Sequence, residues 1–370
     1  MSGSRDRSTF SSVAVVTRRA TALVACLLLT AGVVHALGKK DKPTPVPEPP
    51  DLLLEGNRKL SFVQSFSSEQ ETRGKPGFFG KLLDVVAGEP FYHRMVRPYG
   101  VAVDSRGRII VTDPGAEGIH IFDFGEHKYK FVERRDKEKN PMRQPQCVAV
   151  DANDNIYVTD SESGYIFVFD PHGGFRRTIG ALKGGEGYFK RPTGIAVDSE
   201  AGRIYVTDTL RDKIFVLDME GSVLRTIGDH GTKPGDLYYP TELRLTKSGL
   251  IAVDSMNFRV QLFSLDGVAQ SAIGRLGDGV GSMFRPKGIS VDSEDHIYVV
   301  DGLWGVVQIF DRQGELLYHF GQRGAQLGEF QMPSGLFIDK NDRIYIADSY
   351  NGRVQVFQYH GAPRAEEVRK

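Results

Sequence analysis

Six copies of one sequence pattern, four short apolar runs in each copy, and a last copy short of its fourth run predict an all-β chain. The fold they point to is a six-bladed β-propeller of four-stranded antiparallel blades. The copies read RPYGVAVDSRGRIIVTD (97–113), QPQCVAVDANDNIYVTD (144–160), RPTGIAVDSEAGRIYVTD (191–208), YPTELRLTKSGLIAVD (239–254), RPKGISVDSEDHIYVVD (285–301) and MPSGLFIDKNDRIYIAD (332–348). Their closing aspartates, Asp113, Asp160, Asp208, Asp254, Asp301 and Asp348, are 47, 48, 46, 47 and 47 residues apart. A fixed period of that length marks units that cannot bury both faces alone and must stack on one another.

Within the second copy the apolar runs are 147–151, 156–160, 165–170 and 175–179, separated by turn-forming stretches such as Asn153-Asp154-Asn155 and the loop 171–174. Four runs joined by tight turns form one antiparallel sheet. The first run is the most uniformly apolar, which suits a strand lining a packed centre. The sixth copy ends near Tyr359 without a fourth run. At the other end of the chain, residues 59–66 (KLSFVQSF) resemble the fourth run 315–320 (ELLYHF). Residues 59–66 are therefore expected to close the ring as the outer strand of the last blade, which makes 51–360 one propeller followed by a polar tail, 361–370.

Ahead of the propeller, Arg18-Arg19 precede an apolar run from Ala20 to Ala36 that ends in Val34-His35-Ala36. This reads as a signal peptide over 1–36, or an uncleaved anchor, and the protein is expected to be exported to the periplasm or cell envelope. Leu23-Val24-Ala25-Cys26 has the form of a lipobox, but it lies close behind the arginine pair. Residues 37–50 carry five prolines and form a semi-rigid spacer. Beyond the leader only Cys147 remains, so the fold needs no intrachain disulfide. The formal net charge is zero, which argues against nucleic acid as a partner. Contact with a membrane is expected only through the N-terminal segment, if that is uncleaved or lipidated.

The stretch Asp348-Ser349-Tyr350-Asn351-Gly352-Arg353-Val354-Gln355-Val356-Phe357 carries a full NHL-repeat signature, and Asp254 to Phe263 nearly does. The chain over 58–358 thus resembles the NHL-repeat propellers, and as a whole it resembles exported bacterial members of unassigned function. The resemblance implies a binding module. In the peptidyl-hydroxyglycine amidating lyases, which carry a similar repeat, histidines just after the repeat prolines bind zinc. Here the residues after the prolines, expected at the mouth of the central channel, are Tyr99, Gln146, Thr193, Thr241, Lys287 and Ser334, and none is histidine. The nine histidines show no metal-ligand spacing, so no metal or other cofactor is expected. Lys287 reads as a solvated lysine, or as a base or Schiff-base lysine if its pKa is depressed.

The closing aspartates form a ring of carboxylates, but turn residues follow them, and they are expected to cap loops by accepting backbone N–H bonds. Asp151 to Asn155 mimics the start of a calcium loop without its glycine or distal glutamate, and reads as a turn. Phe189, Tyr239, Phe284 and Phe330, just before four of the prolines, are expected to wedge between blades. The polar turns after the closing aspartates carry Leu210, Met256, Phe258, Leu303, Trp304 and Tyr350. Such a row of large apolar groups is either a partner-binding crescent on one rim or a set of side chains folded back onto the loop aromatics. The linker 67–98 spaces apolar residues at helical intervals over 78–86, and the charged run 128–143 reads as a solvated outer edge.

The function expected on these grounds is non-catalytic: a propeller presenting one loop rim to a protein, peptide or glycan. The alternative is a lyase or lactonase with its site at the channel mouth.

Overall fold

The computed structural model describes residues 47–73, 92–134, 140–184 and 187–361. The leader, the whole of the helix expected over 78–86, and residues 362–370 of the C-terminal tail lie outside the described residues. Six antiparallel sheets follow one another around a central axis, five with four strands and one with five. Blade 2 is representative, with strands Pro145–Val150, Ile156–Asp160, Tyr165–Phe169 and Phe175–Ile179. Its second and third strands are buried throughout, while its fourth buries only Ile179. That gradient is what radial stacking produces. Inner and middle strands are covered on both faces by neighbouring blades, and the outermost strand meets water. The charged strand Lys128–Glu133, fourth in blade 1, follows the same rule, with only Val132 buried.

Arg58–Phe66 pairs with Arg353–His360 in antiparallel register, from Lys59↔His360 to Phe66↔Val354, and this closes the ring as the sequence predicts. One further strand, Leu52–Leu54, pairs outside it and makes blade 6 five-stranded. Three residues are too short a run to show a period, so the sequence gives no warning of it.

The apolar core is divided into six clusters, one at each junction between blades. Each contains one loop residue, and it always stands three positions before a repeat proline: Met95, Met142, Phe189, Leu237, Met283 and Phe330. All six are buried. This corrects the expectation for two of the four aromatics. Phe189 and Phe330 do wedge between blades, but Tyr239 and Phe284 stand one and two positions before their prolines and belong to none of the six clusters. Phe284 is 44% exposed. The position relative to the proline decides which side chain enters the junction, and a leucine or methionine fills it as well as a ring does.

Candidate functional site: loop rim and channel mouth

Connections from the second to the third strand, and from each fourth strand to the next first strand, share one rim. The closing aspartates organise it. Asp113 accepts hydrogen bonds from the backbone N–H of Val96, Arg97, Gly115 and Ala116. Asp301 does the same for Phe284, Arg285, Leu303 and Trp304. In blades 4 and 6 side chains complete the set, with Asn257, Arg259 and Gln261 on Asp254 and Asn351, Arg353 and Gln355 on Asp348. All six aspartates are buried, and each ties two loops of its blade together. Among the described residues no three His, Cys, Asp or Glu side chains converge as a metal site. The calcium-like stretch is a turn, in which Asp151 accepts from the N–H groups of Asn153 and Asn155.

Upon this frame Leu210, Met256, Trp304 and Tyr350 stand out into solvent, at 50, 46, 43 and 63% exposure. Leu303 and Phe258 are half-buried, and the Phe258 ring leans on Phe284 at 6.2 Å between centroids. Three of the turns are single 3-10 turns, Thr209–Arg211, Ser255–Asn257 and Ser349–Asn351, each followed by a residue in the left-handed region. In blade 6 that residue is Gly352; in blade 4 it is Phe258, at φ 55°. A bulky side chain there costs about 1–2 kcal/mol that glycine avoids.

Toward the axis, hydroxyls at the end of a second strand, or in the turn after it, bond the first-strand segment of the next blade. Thr112 donates to the Gln146 carbonyl and Thr159 to that of Thr193. Thr209 donates to the Pro240 carbonyl at 2.7 Å, Ser255 to that of Pro286 at 3.2 Å, and Ser349 to that of Pro98 at 2.6 Å. Thr193 and Ser334 are buried in this network; Tyr99, Gln146, Thr241 and Lys287 are half-buried. In four of the six repeats the second residue after the proline is glycine (Gly100, Gly194, Gly288, Gly335), where a Cβ would fall within 2.3–2.8 Å of the next first strand's backbone. The other two repeats carry Cys147 and Glu242.

These two side chains meet over blade 3, the Cys147 thiol donating to Glu242 at 3.1 Å. Burial pushes the Glu242 carboxyl up despite Arg244, whose Nη1 lies 3.6 Å away, and it pushes the thiol well up too, so Cys147 is a poor nucleophile. Arg244 in turn donates to the carbonyls of Ile289 at 3.0 Å and Leu336 at 2.7 Å, and so reaches from blade 4 to blades 5 and 6. None of the three was expected as a site residue. The signal was present in the repeat: Cys147 and Glu242 break a glycine column, and Arg244 stands where three copies have alanine.

The lysine at the mouth is not a solvated one. Its ammonium sits over the Tyr99 ring, 5.2 Å from the centroid. Burial, with Arg285 and Arg97 nearby, brings the Lys287 pKa down to about 8. Burial also pushes the Tyr99 phenol well up, so it stays protonated at physiological pH.

A family described as a six-bladed β-propeller matches residues 129–232, and the NHL repeat matches 330–357. No curated protein matches the chain. Among solved structures, a protein of unknown function from Bacteroides thetaiotaomicron is 16% identical, with a TM-score of 0.58 and 84% of each chain covered. Virginiamycin B lyase from Staphylococcus aureus is 14% identical, with a TM-score of 0.53, covering 81% of this chain and 99% of its own. A gluconolactonase from Xanthomonas campestris is 15% identical, with a TM-score of 0.54, covering 85% and 99%. At these identities the likeness is one of fold. The even period and the six closed blades make the chain a six-bladed β-propeller, and its last blade carries a matched NHL repeat.

Proposed function

We propose that this propeller is a binding scaffold, exported to the periplasm or cell envelope, whose rim over blades 3 to 6 engages a protein, peptide or glycan. The observation that carries the reading is the exposure of Leu210, Met256, Trp304 and Tyr350 from turns locked by buried aspartates. A lone exposed leucine is ordinary. A row of large apolar groups two or three residues after the closing aspartate in four successive repeats, held rigidly, loses little conformational entropy on binding. Phe258 supports the reading as well, because a ring is kept where glycine costs less. The apolar leader supports export.

The test is the double variant W304A/Y350A, measured for partner capture and for melting. Truncating two hot-spot aromatics costs about 2 kcal/mol or more each, so capture falls more than a hundredfold. Stability changes by only about half a kcal/mol, as for other surface positions. A variant that melts early yet captures its partner normally refutes the reading.

A second reading, an enzyme of the lyase or lactonase type, draws support from Lys287, a lysine with pKa about 8 beside a protonated tyrosine at the mouth. Turnover of lactones or cyclic esters by the purified domain, lost in K287M, would put it first.

A further inference from the structure

We propose that the mouth where blades 5, 6 and 1 meet is an anion-binding site, in which Lys287, Arg285 and Arg97 take the carboxylate or phosphoryl group of a small ligand.

The ring of hydroxyl-to-carbonyl bonds around the axis is broken at one junction. Between blades 5 and 6 the two positions that supply the hydroxyl elsewhere are Val300 and Gly302. The vacated space is occupied by the stem of Lys287. A Cβ at Gly302 would lie 3.1 Å from its Cδ and 3.4 Å from its Cε. The equivalent positions in blades 4 and 6 are Ser255 and Ser349, both of which bond the next blade. The repeat thus departs from its own rule where the lysine needs room, and the lysine is laid across blade 6 onto Tyr99 of blade 1.

Among the described residues the cations gathered there have no carboxylate partner, whereas Arg211, Arg259 and Arg353 on the same rim each pair with the closing aspartate of their blade. Arg191, which precedes its proline as Arg97 and Arg285 do, is engaged by the Tyr239 hydroxyl at 2.9 Å. Arg97 and Arg285 are exposed, and no ion pair of theirs occurs among the described residues. The aspartates beneath them, Asp113 and Asp301, are each occupied by four backbone N–H groups. Both arginines act on Lys287 as like charges. An anion between the three groups relieves that repulsion and gains charge-assisted bonds from two planar forks.

The inference does not depend on the partner-binding crescent. Its test uses Trp304, the single tryptophan, two residues beyond Gly302, as the reporter. The full propeller is titrated with inorganic phosphate and, separately, with succinate, at ionic strength fixed by chloride, by fluorescence and by calorimetry. Saturable binding of either is expected, and which one saturates tells a phosphoryl from a carboxylate ligand. K287M, R285Q and G302S should each weaken it tenfold or more. G302S should melt with the wild type, since serine already occupies this position in three blades, as Ser161, Ser255 and Ser349. Absence of saturable binding to both anions, or wild-type affinity in G302S and K287M, overturns the proposal.

Discussion

Deleting residues 51–66 tests the ring closure. The deletion removes Leu54, Leu60 and Phe66, each no more than 8% exposed, and uncovers Phe357 and Tyr359, which pack in the same cluster as the first two. It also unpairs the edge of Arg353–His360 along the register from Lys59 to Phe66. At about 1.5–3 kcal/mol for each buried side chain, the loss is roughly 5–9 kcal/mol. A whole domain is stable by only about 5–15 kcal/mol. The truncated propeller should therefore melt at least ~10 °C lower, and its last blade should become sensitive to protease. A control separates closure from mere shortening. Because Lys59 faces His360, a copy of 59–66 spliced after residue 360 through a two-residue turn can form the same hairpin. That permuted chain should recover most of the stability. A truncated protein melting within a degree or two of the full one refutes the reasoning, whatever the permuted chain does.

Two further outcomes follow from local chemistry. The His296 ring donates from Nδ1 to the Asp292 carboxylate at 2.9 Å, and this contact raises its pKa above 6.5. A raised histidine pKa means stability that is fully present below about pH 6.5 and lost as pH rises through the folded value. The melting difference between wild type and H296Q should therefore be larger at pH 6 than at pH 9; an equal difference at both contradicts the assignment. At Phe258, asparagine tolerates the left-handed backbone better than phenylalanine. F258N should melt no lower than wild type while capturing partner less well, and a clear loss of stability with unchanged capture would show the ring to be structural.

Much of the fold is written in columns of the repeat. The prolines, the closing aspartates and the strand borrowed from the N-terminus could all be placed by comparing copies, because each occupies a fixed position relative to a turn. The aspartates act as caps for the same reason: a carboxylate two or three residues before unpaired N–H groups accepts from them wherever the loop lies. What escaped were contacts between copies. Nothing in the spacing of Cys147 and Glu242 tells that they touch, since they stand 95 residues apart with a whole blade between them. The wedge into each junction was mistaken for an aromatic rule because two of its six members, Phe189 and Phe330, are rings, whereas the rule concerns distance from the proline. Sequence alone does not decide between a solvated and a depressed Lys287, because its partner Tyr99 lies in another repeat and the clue to its seat is an absence, the missing side chain at Gly302.

The most direct measurement of the functional claim is site-specific photo-crosslinking in cells that produce the protein. A photoreactive phenylalanine analogue is placed at Tyr350 or Trp304 on the apolar rim, and at Val268, which is 65% exposed between the third and fourth strands of blade 4 on the opposite rim. If the apolar rim is the binding surface, positions 304 and 350 give a discrete adduct of one mass and position 268 gives none. Adducts from 268 alone, or the same adduct from all three positions, contradict it.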